Sequence, residues 1–416
     1  MLLFLVDLVV VLCLAVQFAI AGYFLTLLYW LTDEPQAESP PPELPPEAEL
    51  PRVLVQIPVF NEPMVVERVV TAAGALDWPR DRLKIQLLDD STDLTSDIAI
   101  HAIGRLRKQG VDADHVRRAS RTGFKAGALA DGMTRDDAPY VAVFDADFVP
   151  APDWLRRTMA VMLASPKAAF VQTRIEWGNG DRNWLTRAQR LMQDAHFAVE
   201  QDMRARRGVP FQFNGTGGIW RREAVEEAGG WSHDTLSEDL DLVLRTHLKG
   251  WTGVFLMEPH VVGELPQRLD DFGAQQSRWS KGFVQVARKL LGQVWDSGWS
   301  DAAKFMTTVA LGQQLIFPMI VVGVLALIGS MIGHGHLIGL FGFLLWMWLV
   351  TMVVVLIGMT WGAYHRLKRG GFLRYIATAA SVPALIVYLA VANAGAIVGA
   401  SLGRKTAFTR TPKTGR

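Results

Sequence analysis

Four stretches of this chain run for 25 to 28 residues without an acid, a base or a histidine, and that much uninterrupted apolar sequence points away from a purely water-soluble fold. The first, Leu8 to Thr32, has the length needed to cross a ~30 Å hydrocarbon core at 1.5 Å per residue. A cleavable signal peptide is the alternative. Against it, Asp7 stands where a basic n-region belongs, and the run exceeds the usual ~7–15 apolar residues. The others, Phe305 to Ile332, Leu337 to Tyr364 and Tyr375 to Leu402, follow one another near the end of the sequence. Uncharged throughout, they lack the intramembrane carboxylates and histidines of an ion or proton path, which argues against a transporter.

The remaining sequence divides by composition. Residues 1–32 read as an N-terminal membrane helix. Residues 33–51 hold six acids, no base before Arg52 and many prolines, the make-up of an extended solvated linker. In residues 52–280, strand-like apolar runs alternate with helical patterns, which predicts a doubly wound, mostly parallel α/β sheet. The runs are Val53–Phe60, Leu83–Leu88, Tyr140–Phe144, Ala168–Ile175 and Val254–Met257; the helical stretches include Met64–Leu76, Asp153–Ala164 and Trp184–Arg207. In residues 281–304, Phe283, Val286, Ala287, Leu290, Leu291 and Val294 recur at helical spacing beside Lys281, Arg288 and Lys289. That pattern suits an interfacial helix or a domain-packing one. Three membrane segments over 305–402 and a basic tail over 403–416 complete the chain.

Orientation is only partly determined at this level. His365 to Arg374 contains Arg366, Lys368, Arg369 and Arg374, and the tail contains Arg404, Lys405, Arg410, Lys413 and Arg416, so the positive-inside rule assigns both to the same side. One crossing between them violates that rule. Either the last segment enters and returns, or one basic flank lies outside.

Charge and cysteine content narrow the function. With 42 basic and 41 acidic residues the net charge is +1, which provides no general attraction to nucleic acid. The single cysteine, Cys13, excludes an intrachain disulfide and argues against a thiolate metal site, consistent with a cytosolic working face. Serine-nucleophile elbows, Walker phosphate loops and zinc-protease helices are all missing from the sequence.

What is present is a series of carboxylates where apolar runs end. Ligands of open parallel sheets bind beyond the carboxyl ends of the strands, so Asp89-Asp90 and Asp145-Ala146-Asp147 are expected at one crevice. Alternation along an extended chain puts Asp145 and Asp147 on the same side, able to share a hard divalent cation; a solvated strand-ending turn is the plainer explanation. Arg121 to Gly127 surrounds Lys125 with small residues that let a phosphate approach the backbone. Phe213 to Gly218 is a low-bulk turn, and Leu236-Ser237-Glu238-Asp239-Leu240-Asp241 opens a helix that Ser237 could cap. Gln275-Gln276-Ser277-Arg278-Trp279 offers an arginine for phosphate oxygens and an indole for a sugar ring, or an interfacial Trp-Arg anchor.

In order, Asp89-Asp90, Asp145-x-Asp147, Ser237-Glu238-Asp239 and Gln275-x-x-Arg278-Trp279 resemble the four-part signature of processive glycosyltransferase family 2 enzymes of the cellulose synthase superfamily. The likeness extends to Gln56–Glu62, Leu88–Asp93, Lys125–Leu129, Val171–Arg174, Phe213–Gly217 and the terminal Phe408–Lys413. Bacterial mannan and glucan synthase-like branches are the most similar. The resemblance implies a GT-A fold, Rossmann-like with a mostly parallel sheet, on the cytosolic face of a bacterial inner membrane. It also implies transfer with inversion from a UDP- or GDP-sugar donor to a growing β-linked polysaccharide, or a single addition to a membrane lipid. Asp89 or Asp90 would contact the base, without a choice between them. Asp145 and Asp147 would hold the diphosphate through Mg2+ or Mn2+, with Lys125 and Arg278 adding positive charge. Asp239 would be the general base. Gln275 and Trp279 would border the acceptor end, with Glu238 and Thr216 beside the acceptor. Ser237 stands where the family often has threonine, which keeps the hydroxyl.

Overall fold

The computed structural model describes residues 2–33, 42–333, 338–369 and 371–402; linker residues 34–41, the basic tail from Gly403 and the Phe408–Lys413 motif lie outside them. The chain forms two compact units. One is built mainly from Gln36–Asp181 with Arg204–Pro266, the other from Met1–Pro35, Arg182–Met203 and Gln267–Thr411.

The first unit is organised on an eight-stranded sheet: β1 (Val53–Val59), β2 (Leu83–Asp89), β3 (Asp112–Val116), β4 (Tyr140–Val143), β5 (Val149–Pro150), β6 (Ala168–Trp177), β7 (Gly218–Arg221) and β8 (Thr252–Gly263), in the order β3-β2-β1-β4-β7-β6-β8-β5. From β3 to β4 the pairing is parallel, and every residue of β1 except the half-buried Pro58 is buried. Strands covered on both faces read as continuous apolar runs, which is why β1, β2, β4 and β6 stand out in the sequence. β3 does not. Its Asp-Ala-Asp-His-Val sequence has no apolar run because it is a terminal strand, and parallel pairing with β2 alone defines it.

β7 is antiparallel to both β4 and β6, with Val143 opposite Gly218. That reversal has a consequence for the site. The chain entering β7 meets the chain leaving β4 at the edge where the loops after β1, β2 and β3 also emerge. Phe213, Phe211, Phe170 and Trp220 pack under the entering loop, with ring centroids 4.8 Å apart for Phe170–Trp220 and 4.9 Å for Phe213–Trp220. Burying an aromatic of this kind stabilises by about 1.5–3 kcal/mol. At position 218 the Phe213 ring leaves no room for a side chain, since an added Cβ would fall 2.4 Å from Cε2.

The second unit is helical: Leu2–Asp33, Trp184–Ala195 continuing as a π-turn His196–Gln201, Leu269–Asp296, Asp301–Gly312, Ile316–Gly333, Ile338–Leu367, Phe372–Ala379 and Val382–Ser401. Four stretches, Leu3–Asp33, Asp301–Gly333, Gly339–Leu367 and Phe372–Ser401, are long and apolar enough to cross a membrane. A reciprocal cap starts the Trp184 helix: the Asn183 side chain accepts from the Thr186 N–H at 2.9 Å while Thr186 Oγ1 accepts from the Asn183 N–H at 3.0 Å. Within this unit several buried polar groups are paired, while both side-chain polar atoms of the buried Asn393 have no hydrogen-bond partner among the described residues. Tyr23 donates to Glu200 Oε1 at 2.6 Å, His196 reaches Glu200 Oε2 at 2.8 Å, Tyr375 donates to Asp194 at 3.1 Å, and Arg366 pairs with Asp202. The helix beginning at Leu269 runs unbroken through both the Gln275–Trp279 motif and the amphipathic stretch from Lys281.

Candidate active site

Asp89 and Asp90 end β2 in different environments. The Asp89 carboxylate is fully buried and accepts from the Ser91 N–H at 2.8 Å and Ser96 Oγ at 2.6 Å, with His115 Nε2 of β3 at 2.8 Å. Burial pushes this carboxyl up, but the bonds from His115, Ser96 and Ser91 together prevail and hold it well below the usual carboxylate range. Asp90 instead takes a two-pronged contact from Arg118 Nε and Nη2. Arg118 also donates to Thr122 O at 2.9 Å and Phe124 O at 3.1 Å, so it ties the end of β2 to the loop ahead of Lys125. Across from it the Arg121 guanidinium lies 3.3 Å over the Phe60 ring. Ser91 Oγ accepts from the Asn61 N–H, and Asn61 Oδ1 accepts from the Thr92 N–H, closing the β1 and β2 loops on each other.

Asp89 is therefore a structural anchor. Truncation to alanine leaves the Ser91 N–H, Ser96 and His115 without their acceptor at ~1–3 kcal/mol for a buried orphaned group, so Asp89→Ala is expected to cost several kcal/mol. Because the folded carboxyl titrates below the ordinary ~4, its contribution is complete above pH ~4 and fades as the pH falls toward the folded value. Thermal melts of wild type and variant check this: the gap should be widest near neutrality and narrow in acid.

The second cluster surrounds Lys125, in the first turn of the helix Phe124–Met133. Its ammonium lies 2.7 Å from Asp145 Oδ1 and 3.8 Å from Glu238 Oε1, and it donates to Gly215 O at 2.8 Å. Burial works against the charged amine, but Asp145 and Glu238 overcome it and raise its pKa. Asp145 is held from the other side, its N–H donating to Thr216 Oγ1 at 3.0 Å. Gly215, at φ +76°, fits between the partners: a Cβ there would lie 3.0 Å from both Lys125 Nζ and Asp239 Oδ2. The loop is seated by the buried Gln172 of β6, whose Nε2 donates to Thr216 O at 3.0 Å and whose Oε1 accepts from the Asn214 N–H at 2.9 Å.

Asp239 opens the helix Glu238–Leu248 and accepts from the Leu240 N–H at 2.8 Å. Burial, and then the neighbouring Glu238 carboxylate, push its carboxyl up to about 7 against the pull of Lys125. Ser237 does not cap this helix through its side chain; its carbonyl accepts the Asp241 N–H at 3.0 Å instead.

One geometric expectation needs correcting. Asp145 and Asp147 do not share a side through strand alternation, because β4 ends at Val143 and the Phe148 N–H closes a turn onto Asp145 O at 3.0 Å. Asp145 is one-third exposed and Asp147 is buried. Among the described residues no three histidines, cysteines, aspartates or glutamates group as a metal cage. The partly exposed Asp145 beside Lys125, with Asp147 two residues on, nonetheless suits Mg2+ or Mn2+, which take one or two protein carboxylates and complete their shell with substrate phosphates and water.

Residues from 140 to 390 match the family model described as glycosyl transferase family group 2. The chain belongs to that family. As a family 2 member it is 44% identical over 248 residues to glucomannan 4-beta-mannosyltransferase 9 of Arabidopsis thaliana, an alignment covering 59% of this chain and 46% of that protein. It is also 44% identical over 257 residues to glucomannan 4-beta-mannosyltransferase 1 of Oryza sativa subsp. japonica, covering 61% and 49%. The chain thus spans about half the length of the curated relatives it matches. In fold it resembles a mannosyltransferase of Pyrobaculum calidifontis solved in complex with GDP-Man and Mn2+, with a TM-score of 0.60 at 20% identity over 93% of this chain and 98% of that one.

Thus Asp89, Asp90, Lys125, Asp145, Thr216, Glu238 and Asp239 of this family 2 chain all belong to the sheet unit. Gln275, Arg278 and Trp279 belong to the helical unit, where their i, i+3, i+4 spacing puts them on one face of the helix Leu269–Asp296. Sequence reasoning missed Arg118 and the role of Gln172. Arg118 follows the polar strand β3, so no apolar run flagged its loop, while Gln172 lies within an apolar run and reads there as an interruption.

Proposed function

We propose that this chain is a metal-dependent, membrane-embedded glycosyltransferase that moves a hexose from a nucleotide sugar to a growing β-linked glucan- or mannan-type polysaccharide, with inversion. The observation that carries the proposal is the convergence of Asp145, Glu238 and the Gly215 carbonyl on Lys125, with Asp239 beside the same glycine. An ammonium and a metal-competent carboxylate thus lie next to a carboxylate poised to accept a proton. Asp90, with Arg118, Phe60 and Arg121 near it, forms the nucleoside end; Asp145 and Asp147 hold the cation. When bound, the cation supplies Lewis-acid neutralisation of the departing diphosphate. Lys125 adds a second positive charge at the same place. Asp239 removes the proton from the acceptor hydroxyl, and Glu238 and Thr216 border that hydroxyl. The relatives' names support a mannosyl donor, and GDP-mannose is the first to test. The Gln275, Arg278 and Trp279 face serves donor and acceptor at the helical unit. The sheet unit works in the cytosol, at the bacterial inner membrane.

The experiment is to incubate purified protein in bilayers with Mn2+ or Mg2+ and labelled GDP-mannose or UDP-glucose and to size the products. A ladder of long chains supports the proposal; a single-sugar lipid band replaces polymer synthesis by glycolipid synthesis; inactivity with both donors and both metals removes the transferase reading.

A pH profile follows from Asp239. The base must be ionised to act, so kcat/KM falls about tenfold per unit on the acid side. A cation on Asp145 removes one of the repulsions that raise Asp239, so the midpoint is expected between an unperturbed carboxyl's ~4 and about 7. A profile with no acid limb down to pH ~4 would exclude Asp239 as the base.

A further inference from the structure

Midway along the helix Val382–Ser401 an asparagine interrupts an apolar stripe. Leu385, Leu389, Asn393 and Ile397 follow one another at steps of four, and all are closed off from solvent, Asn393 at 0%. Neither Oδ1 nor Nδ2 of Asn393 has a hydrogen-bond partner among the described residues. Turning the amide over exchanges the two atoms and relieves neither. Buried amides in folded proteins are bonded, so the surroundings of Asn393 have to supply what it bonds.

Those surroundings are set by the packing on either side. Leu389 belongs to one cluster with Leu185 and Phe272, Ile397 to another with Val284, and Phe317 packs against both. Asn393 therefore faces the stretch of the helix Leu269–Asp296 between Phe272 and Val284, at the level of Phe317. One turn before Val284 stands Ser280, itself 0% exposed, whose Oγ donates to Gln314 Oε1 at 2.8 Å. Having given its hydrogen, that hydroxyl still accepts. Gln314 lies in the 3-10 turn Gln313–Leu315, and Pro318, four residues on, has no N–H to offer its carbonyl. In apolar surroundings a carbonyl freed by proline is met by a neighbouring side chain or by water.

No direct bond joins Asn393 to either group. The layer instead has what a buried water requires, about two to four polar partners inside apolar walls. One water can accept from Asn393 Nδ2 while giving its hydrogens to Ser280 Oγ and the Gln314 carbonyl, or to Asn393 Oδ1.

We propose that Asn393 holds a buried water that joins it to Ser280 and Gln314, and that this polar node among three helical segments is a positioning element for Gln275, Arg278 and Trp279. Ser280 follows Trp279 directly, about 100° round the same helix, so whatever ties Ser280 fixes the rotation at which the motif is presented. The positioning role rests on the reading that this motif serves donor and acceptor; the water site does not.

X-ray radiolysis converts water into hydroxyl radicals, a held water included, and these oxidise the side chains beside it. Leu389 and Ile397 flank the site and Leu385 lies one turn beyond it, all three at 1% exposure, so Leu385 is the internal control. In the full-length protein in bilayers, Leu389 and Ile397 should be oxidised well above Leu385. Asn393→Leu, which keeps the bulk and loses the amide, should abolish the excess, and Asn393→Ser, which keeps a donor and an acceptor, should retain it. No excess in the wild type overturns the water site, and so does an excess that survives Asn393→Leu. Transfer assays on the same samples read the second half. Asn393→Leu should lower kcat by as much as ~10²-fold, the cost of a misplaced reacting group, with Mn2+-enhanced donor binding kept and turnover restored in part by Asn393→Ser. Wild-type turnover in Asn393→Leu overturns the positioning role. An inactive wild type would count against the transferase reading alone, since the oxidation pattern needs no substrate.

Discussion

Asp239→Asn is expected to lower turnover by about 10²–10⁴-fold while donor affinity changes little. The amide keeps the shape of the carboxylate and can accept the Leu240 N–H through its oxygen, so the helix start at Glu238 is retained. What it lacks is a basic site for the acceptor's proton. Relief of the charge crowding among Asp239, Glu238 and Asp145 also predicts a slightly more stable protein, which separates loss of chemistry from loss of fold. Single-turnover transfer alongside donor binding by thermal shift checks both. Wild-type-like turnover would remove the residue from the mechanism.

The second large effect belongs to Asp145. Asp145→Asn removes the proposed cation ligand and, with it, a carboxylate partner of Lys125 at 2.7 Å. Metal neutralisation of a departing phosphate contributes several kcal/mol at the transition state, or roughly 10²–10³-fold in rate at 1.36 kcal/mol per decade. Unlike the Asp239 variant, this one should fail earlier, with donor binding no longer enhanced by Mn2+. Titrating Mn2+ at fixed donor distinguishes the two defects. Donor binding that still rises with Mn2+ as in wild type would place the cation elsewhere.

These two predictions draw on different kinds of information. Asp145 and Asp239 can be picked out in the sequence because each terminates a recognisable pattern: an apolar strand in one case, a helix start in the other. The same is true of the buried parallel strands and of the long uncharged runs, since complete burial on both faces, or in lipid, demands uninterrupted apolar residues whatever the tertiary arrangement. Composition along the chain thus sufficed for the α/β sheet, the apolar helices and the order of the motifs.

Partnership was not readable in this way. Asp89 and Asp90 are neighbours with the same side chain, yet one is an internal anchor bonded to His115 and the other a partner of Arg118, because only the pairing of the polar edge strand β3 with β2 brings His115 and Arg118 to them. Likewise, Lys125 meets Gly215 across 90 residues only because β7 runs antiparallel to β4 and delivers its leading loop to the same edge. The elevated Asp239 carboxyl is a property of that meeting, since burial and neighbouring charge depend on distance in space. Local sequence determined which segments must be hidden from water, as burial of apolar surface is nearly independent of direction; the tertiary structure decided which charges face one another, because that depends on strand order.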